Sequence, residues 1–341
     1  MENQVTIKTI AKNTNFSLTT VSRVLNGSYE KYRISKNTRD RVLAEASKLG
    51  YIPNMAAKTL RSNRSNTIGL VLPSLNNPFF STVASTIAQV FFAQGFVVMM
   101  SDCDNSEKEE KKIIQAFLSQ NLVGIIVIPM GVKSNYEILN SNNIPTVFID
   151  RFFSDMDFFS VSTDHYKSAF KLMEYLVEMG HQKIACIQGD ESVISNQLRV
   201  KGYHDAISTF GLTYEYLGGN SFTSEKGYLE MKLLVNKKDR PTAIIALSDT
   251  ILLGILKAIK EANIKIPDEM SVVSIDNSAY LDFLETPVTS IEQSVEQIAN
   301  LAASLLIDQI QKGLRTMADD TEKIILLDSI LILRSSVRNI R

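Results

Sequence analysis

A chain of 341 residues exceeds one small domain and implies two or three. Its 45 % hydrophobic content supplies buried cores and excludes wholesale disorder. Cys103 and Cys186 form no CxxC pair, and the three histidines (165, 181, 204) show no metal-ligand spacing, so neither a disulfide framework nor a zinc or histidine-based catalytic centre is expected.

The formal charge of −1 conceals an asymmetry. Residues 1–64 carry twelve Lys/Arg against four Asp/Glu, near +8, and the remainder is near −9. A basic head on an acidic body suggests a polyanionic partner for the head alone. The first residues are polar, without a signal-peptide core, and no run approaches the roughly 18 apolar residues of a membrane helix. The expectation is a cytoplasmic protein with no membrane association.

In chain order, a helical run over Ile7–Lys12 is followed by Asn13–Phe16, then by Ser17 to Asn26. Val21, Val24 and Leu25 recur at helical spacing and can pack inward. Leu18, Thr19, Ser22, Arg23 and Asn26 are left outside, able to meet phosphates and base edges. Ser17 is a good N-cap, and Gly27 stands where helices stop. Two short helices joined by such a turn make a helix-turn-helix, whose second helix enters the DNA major groove. After the polar loop 28–33, Ser35 caps a third helix with Val42, Leu43, Ala46 and Leu49 on one face and Gly50 as its stop. The small shared core is expected from Ile7, Ile10, Ala11, Val21, Val24, Leu25, Val42, Leu43 and Ala46.

Pro53 then breaks the chain, Asn54 can cap, and Met55–Arg61 suits a helix of barely two turns, marginal alone in water. Two readings stand: a linker with some helical tendency, or a hinge that folds on DNA. In the second, Leu60 is a minor-groove wedge and Ala56 and Ala57 allow close approach.

The runs Val5–Ala11, Val21–Gly27, Gly50–Asn54 and Leu60–Arg61 together resemble the bacterial lactose/galactose repressor (LacI/GalR) family, and the resemblance continues through essentially the whole chain. It implies that Leu18 and Thr19 choose the operator sequence, that Arg23 reads a base, and that Thr20, Ser22 and Asn26 touch phosphates. Leu60 matches the intercalating hinge leucine. The expected DNA-contacting set is Thr6, Ser17, Leu18, Thr19, Thr20, Ser22, Arg23, Asn26, Tyr51, Asn54, Ala57, Leu60 and Arg61. Two positions depart from the pattern: Asn15 replaces the usual turn glycine, and the 28–34 loop is a few residues longer. Asn tolerates the left-handed conformation, so the turn should survive.

From Thr67 short β-rich runs alternate with helical segments. Strands are expected at 68–72, 96–100, 124–128, 146–149, 161–163, 183–187, 243–247 and 272–275. Helices are expected at 79–94, 108–120, 166–179 and 250–261. Alternation implies parallel sheets covered by helices, here two units in series with a ligand cleft between the lobes. The fold class is thus α/β: a three-helix helix-turn-helix head and hinge helix (1–50 and 51–66), then a two-lobed, periplasmic-binding-protein-like body with two parallel sheets (67–341). The resemblance implies lobe one at 67–163 plus 294–322 and lobe two at 164–290 plus 323–341.

Strand ends and following loops should line the cleft. Asn76–Phe80, Asp150-Arg151, Asp164, Asp249 and Asp276-Asn277 follow strands, Arg199 opens a helix, and Phe222 sits in a polar loop. Carboxylates and arginines can bond hydroxyls bidentately, and a Phe can cover a sugar's apolar face. By resemblance, Phe80, Ser195, Arg199, Phe222 and Asp276 are effector contacts. The full expected set is Asn76, Phe80, Asp150, Arg151, Ser195, Arg199, Phe222, Asp249 and Asp276. The plain alternatives are helix caps for Asp164 and Asp249, core for Phe79, and a surface position for His165. The family's usual Gln-Pro after the last crossover is Gln293-Ser294 here, and no C-terminal heptad repeat is present.

No GxSxG, P-loop or GxGxxG follows a strand, which argues against an enzyme, and no cofactor or metal is expected. The expected function is a ligand-responsive transcriptional regulator, a repressor of carbohydrate-use genes. It would bind double-stranded, palindromic operator DNA as a homodimer and respond to a sugar or sugar acid. Alternatives are a cytoplasmic solute-binding protein, or a regulator answering to a nucleobase or to a phosphorylated corepressor protein. Whether the effector releases or recruits DNA stays open.

Overall fold

The computed structural model describes residues 5–51, 65–313 and 323–341, in two compact units, 1–65 and 66–341. In the first unit, helices α1 (Ile7–Thr14), α2 (Leu18–Leu25) and α3 (Lys36–Lys48) each start on a hydroxyl cap: Thr6, Ser17 and Ser35 accept from the backbone N–H of Thr9, Thr20 and Thr38. Asn15 ends α1 at φ 59°, the left-handed conformation its amide side chain tolerates. Ile10, Ala11, Val21, Val24, Val42 and Ala46 form the core, with Phe16, Tyr29, Ile34 and Tyr51 packed around it. Leu43 is not in that core: it is 43 % exposed. The inward stripe of α3 runs Val42, Ala46, Leu49, and Leu43 lies one helical step off it.

In the second unit, β1 (Thr67–Leu72), β2 (Val97–Asp102), β3 (Gly124–Val127), β4 (Thr146–Ile149), β5 (Phe159–Thr163) and β11 (Ile324–Leu327) form a parallel sheet in the order β11-β5-β4-β3-β1-β2. One face packs on α4 (Pro78–Ala93) and α11 (Val295–Lys312), the other on α5 (Glu107–Leu118) and α6 (Glu137–Ser141). The second sheet comprises β6 (Ile184–Ile187), β7 (Tyr216–Gly218), β8 (Ala243–Ala246), β9 (Ser271–Ile275), β10 (Thr289–Glu292) and β12 (Ile330–Ile332), in the order β12-β10-β9-β8-β6-β7. It is covered by α7 (His165–Glu178) and α8 (Ile194–Thr209) on one side and by α9 (Ser224–Val235) and α10 (Asp249–Glu261) on the other. The central strands β3, β4, β6 and β8 are buried on both faces, which is why they are mostly continuous apolar runs, not alternating ones.

Two sequence expectations shift. The second sheet is not wholly parallel, because β12 runs antiparallel to β10. Residues 324–327 belong to the first lobe: β11 pairs in parallel with β5, Ile324 opposite Ser160. The chain therefore passes between lobes near 164, 293 and 328. β7 (Tyr-Leu-Gly) and β10 (Thr-Ser-Ile-Glu) escape a hydrophobic-run search because neither holds more than two adjacent apolar residues, and β12 because it has only three residues.

Candidate effector site and DNA-reading head

The cleft is built where strands of both lobes end. Asp150 follows β4 and Asp276 follows β9, and both occupy left-handed backbone, φ 65° and 74°. Each lobe thus presents one strained aspartate at the same kind of position, a pattern common at ligand sites. Between the lobes lies a cavity of about 240 Å³, suited to a small molecule. Of the nine expected residues, Asn76, Phe80, Asp150, Arg151, Ser195, Arg199, Phe222 and Asp276 line it. Phe79, weighed against a core role, lines it too, with Ser74, Asp104, Asn105, Ser248 and Thr250.

Asp249 does not line the cavity. Ser248 takes the capping role by accepting from Ile251 N, which places Asp249 in the first turn of α10, buried and accepting from Ser278 Oγ at 2.5 Å. Arg199 does not open its helix. That helix begins at Ile194, so Ser195 and Arg199 lie one turn apart on one buried face. Asp164 caps α7 by accepting from Lys167 N.

His165 is the residue sequence reasoning misplaced. With Asp164 as cap, it is the first residue of α7 and fully buried, not on the surface. Its Nε2 lies 3.2 Å from Asp150 Oδ1, 3.2 Å from the Asp150 carbonyl oxygen and 3.3 Å from Ser162 Oγ. Its Nδ1 accepts from Arg199 at 3.2 Å, and Arg199 also donates to the Leu247 carbonyl at 2.7 Å. Arg151 donates to the Pro129 carbonyl at 3.1 Å and stands 5.4 Å from the Phe80 ring centroid. Gly189 leaves room for Phe222: a Cβ there would come within 2.3 Å of its ring.

Burial opposes ionisation of Asp150, but His165, Arg199 and Arg151 outweigh it and hold its carboxyl below the usual range. Burial pushes the other two acids up, Asp249 to about 6 with the Asp276 charge adding to the shift. Arg151 Nε and Arg199 Nε are buried without a hydrogen-bond partner, Arg151 Nε standing 3.7 Å from Asp150 Oδ2. Acceptors and donors are thus interleaved around the cavity, and the arginines answer the aspartates in charge.

Gln293 ties the crossovers together. It accepts from Thr163 Oγ1 at 2.7 Å and donates to Asp276 Oδ1 at 2.6 Å. Ser294, where the resemblance leads one to expect proline, donates to the Asp328 carbonyl at 3.4 Å, linking two passages with a bond proline cannot make. A spacing search finds neither contact, since the partners lie 130 and 34 residues apart.

In the head, Leu18 is 48 % exposed, and Thr6, Ser17, Thr19 and Asn26 are exposed as well. Ser22 and Arg23 are half-buried on the same side of α2. Thr20 Oγ1 lies 2.9 Å from Ser17 Oγ, and Asn26 donates to the Ser22 carbonyl. Tyr51 packs on the head's core. Asn54, Ala57, Leu60 and Arg61, with the hinge helix, lie outside the described residues. Among the described residues no helix is long and apolar enough to cross a membrane, and no cluster of His, Cys, Asp or Glu could hold a metal.

A three-helix head with an exposed polar helix face, and a two-lobed α/β body around a buried charged cleft, define a ligand-responsive DNA-binding regulator. Residues 6–54 match the model for bacterial regulatory proteins of the lacI family, and 173–337 match a periplasmic binding protein-like domain. The chain is 30 % identical over 340 residues to the HTH-type transcriptional repressor CytR of Escherichia coli (strain K12), covering 99 % of this chain and 97 % of that one. It is 25 % identical over 338 residues to the ribose operon repressor of Haemophilus influenzae, covering 98 % and 99 %. A crystal structure of the lac repressor dimer bound to operator and the anti-inducer ONPF superposes with a TM-score of 0.86 at 25 % identity, over 98 % of this chain and 100 % of that one. The chain belongs to the lacI family of bacterial regulatory proteins.

Proposed function

We propose that this protein is a repressor of carbohydrate-use genes that binds a palindromic operator as a homodimer and responds to a small polyhydroxylated effector in the cleft. One observation carries the effector reading: buried arginine donors of both lobes, Arg151 Nε and Arg199 Nε, make no hydrogen bond and belong, with Asp150, to residues that line one cavity beside Phe80 and Phe222. Leaving such groups unmet is costly, so a ligand with alternating donors and acceptors is favoured there. Sugar hydroxyls do both, and the phenyl rings suit the apolar face of a pyranose or furanose. The two arginines are already answered by Asp150 and Asp276, which favours a neutral sugar over a sugar acid. Each half of a dimer would place one α2 in a major groove, and two half-sites make a palindrome. The effector would shift the lobe angle and with it the operator affinity, by differential affinity for the two states.

The test is a thermal-shift screen of the full-length protein against sugars, sugar acids, phosphosugars and nucleobases, followed by operator binding with each hit. A neutral sugar that stabilises the protein and changes operator affinity supports the reading. Stabilisation by nucleobases alone overturns the sugar assignment.

A further inference from the structure

The loop after α2 contains an aromatic side chain that packing does not explain. Its base is anchored: Tyr29 and Ile34 pack on the head's core, and Ile34 N donates to the Tyr29 carbonyl at 2.9 Å. Its tip is a tight turn closed by Arg33 N donating to the Glu30 carbonyl at 3.0 Å, with Arg33 in left-handed backbone at φ 52°. Arginine gains nothing from that conformation, so the loop imposes it. Tyr32, immediately before, is 45 % exposed and takes no part in the core. Its ring instead lies against α2, with the Arg23 guanidinium 3.8 Å from its centroid. Lys31 Nζ, at 6.0 Å, stands at the outer limit of such a contact.

We propose that Tyr32 is a specificity-determining positioning residue, which holds Arg23 in the orientation that reads a guanine. This rests on the proposed DNA-binding function and on α2 as the reading helix. A guanidinium stacked on an aromatic face keeps its N–H donors in their own plane, free for a bidentate contact to guanine O6 and N7. An unsupported arginine must freeze a flexible side chain at the moment of base contact, whereas one already stacked loses less. The gain appears only where the correct base accepts both bonds. Tyr32 therefore acts on discrimination at one base pair in each half-site, and it acts through Arg23 without touching the base.

The full-length wild type, Tyr32→Phe, Tyr32→Leu and Tyr32→Ala are each used to select from duplex DNA with a randomised core. Affinity for the selected duplex and its single-base variants is then measured over a range of salt. We expect Tyr32→Phe, which keeps the ring, to retain the wild-type preference at every position. Tyr32→Leu and Tyr32→Ala should lose about two- to fivefold discrimination at one G·C pair per half-site, the range of an exposed cation–π contact. Their salt slope should not change, because no phosphate contact is removed. Urea melts and far-UV spectra of each variant show whether the head is folded, and Tyr32→Phe separates a lost ring from a lost hydroxyl.

A uniform affinity loss over all sequences with a shallower salt slope makes Tyr32 a phosphate contact and overturns the proposal. Tighter binding by Tyr32→Ala means that the stack withholds Arg23, which overturns it equally. A wild-type protein that selects no motif overturns the DNA-reading function and the proposal with it. A wild-type motif kept in full by Tyr32→Ala overturns the role of Tyr32 alone.

Discussion

Arg199 donates to His165 Nδ1 across 3.2 Å, and a guanidinium has no acceptor, so that ring nitrogen carries a lone pair and the imidazole proton sits on Nε2. The Nε2–H faces Asp150, on the opposite lobe of the cleft, with its carboxylate and carbonyl oxygens both at 3.2 Å. The imidazole thus joins Asp150 of one lobe to Arg199 of the other. Its tautomer is set by Arg199.

Replacing His165 by Ala should remove that link and leave Arg199 with one fewer acceptor. Loss of a buried hydrogen bond to a charged group costs on the order of 1.5–3 kcal/mol. Urea denaturation should show that loss, and the effector-induced thermal shift should shrink with it. Unchanged stability and an unchanged shift would remove His165 from the site.

Arg199→Ala should abolish the response to effector and leave operator binding in its absence intact. Arg199 belongs to the cleft, and the DNA-reading helix α2 belongs to the other compact unit. Fluorescence anisotropy on operator DNA, with and without the best hit of the screen, measures both quantities. A variant that still responds fully counts against the cleft assignment.

Asp249 supplies a pH signature. Its carboxyl is raised to about 6, by burial first and the Asp276 charge second, against 3.8 for the ordinary group. From about pH 4 to about pH 6 the unfolded chain ionises this residue while the folded protein retains the proton, so its contribution to stability falls as pH rises. Asp249→Asn keeps an oxygen acceptor for Ser278 and removes the charge. It should be more stable than wild type at neutral pH by up to about 3 kcal/mol, with the gap closing below about pH 4. Urea melts of both proteins across that range check it, and a pH-independent gap would refute the mechanism.

Helices α9 and α10 cross at bare backbone. A Cβ on Gly254 would lie 1.9 Å from the Ser224 carbonyl oxygen, and one on Gly227 would lie 2.3 Å from that of Ile251. Backbone on both sides leaves no flexible atom to yield. Gly254→Ala should therefore cost roughly 1–3 kcal/mol or more through forced separation of the helices. Calorimetry of the variant tests this, and a melting temperature equal to wild type would show that the helix pair can slide apart freely.

Asn15 holds the turn between α1 and α2 at φ 59°. Glycine adopts that conformation without a Cβ penalty, so Asn15→Gly should preserve or modestly raise the stability of the head. Asn15→Val should lower it by about 1–2 kcal/mol, since a β-branched residue is strained there. Hydrogen exchange of the α1–α2 amides reads the head separately from the larger unit.

The two levels of information divide by range. Local physics is legible in the chain itself. Ser17, Ser35 and Gly27 mark helix ends, apolar spacing marks the head's core, and long apolar runs mark the strands buried on both faces. Eight of the nine expected effector residues line one cavity, and Asn76, Phe80, Asp150, Arg151 and Asp276 among them follow strands that the sequence places correctly. Where the outcome depends on atoms far apart in the chain, the sequence has no signal. Ser248 rather than Asp249 faces the cleft because the cap of α10 falls one residue earlier, and successive residues point about 100° apart around a helix. His165 is buried because Asp150 and Arg199, 15 and 34 residues away, converge on it. Residues 324–327 join the first lobe because an edge of its sheet, beside β5, is open to them. The sequence alone thus determined the helices of the head and the alternating α/β body, since caps and periodicity act within a few residues, and its resemblance to a known family pointed to the class of protein and to the residues of the cleft. Only the tertiary structure decided the tautomer of His165, the bridging role of Gln293 and the stack of Tyr32 on Arg23, since each depends on groups that meet only when the chain is folded.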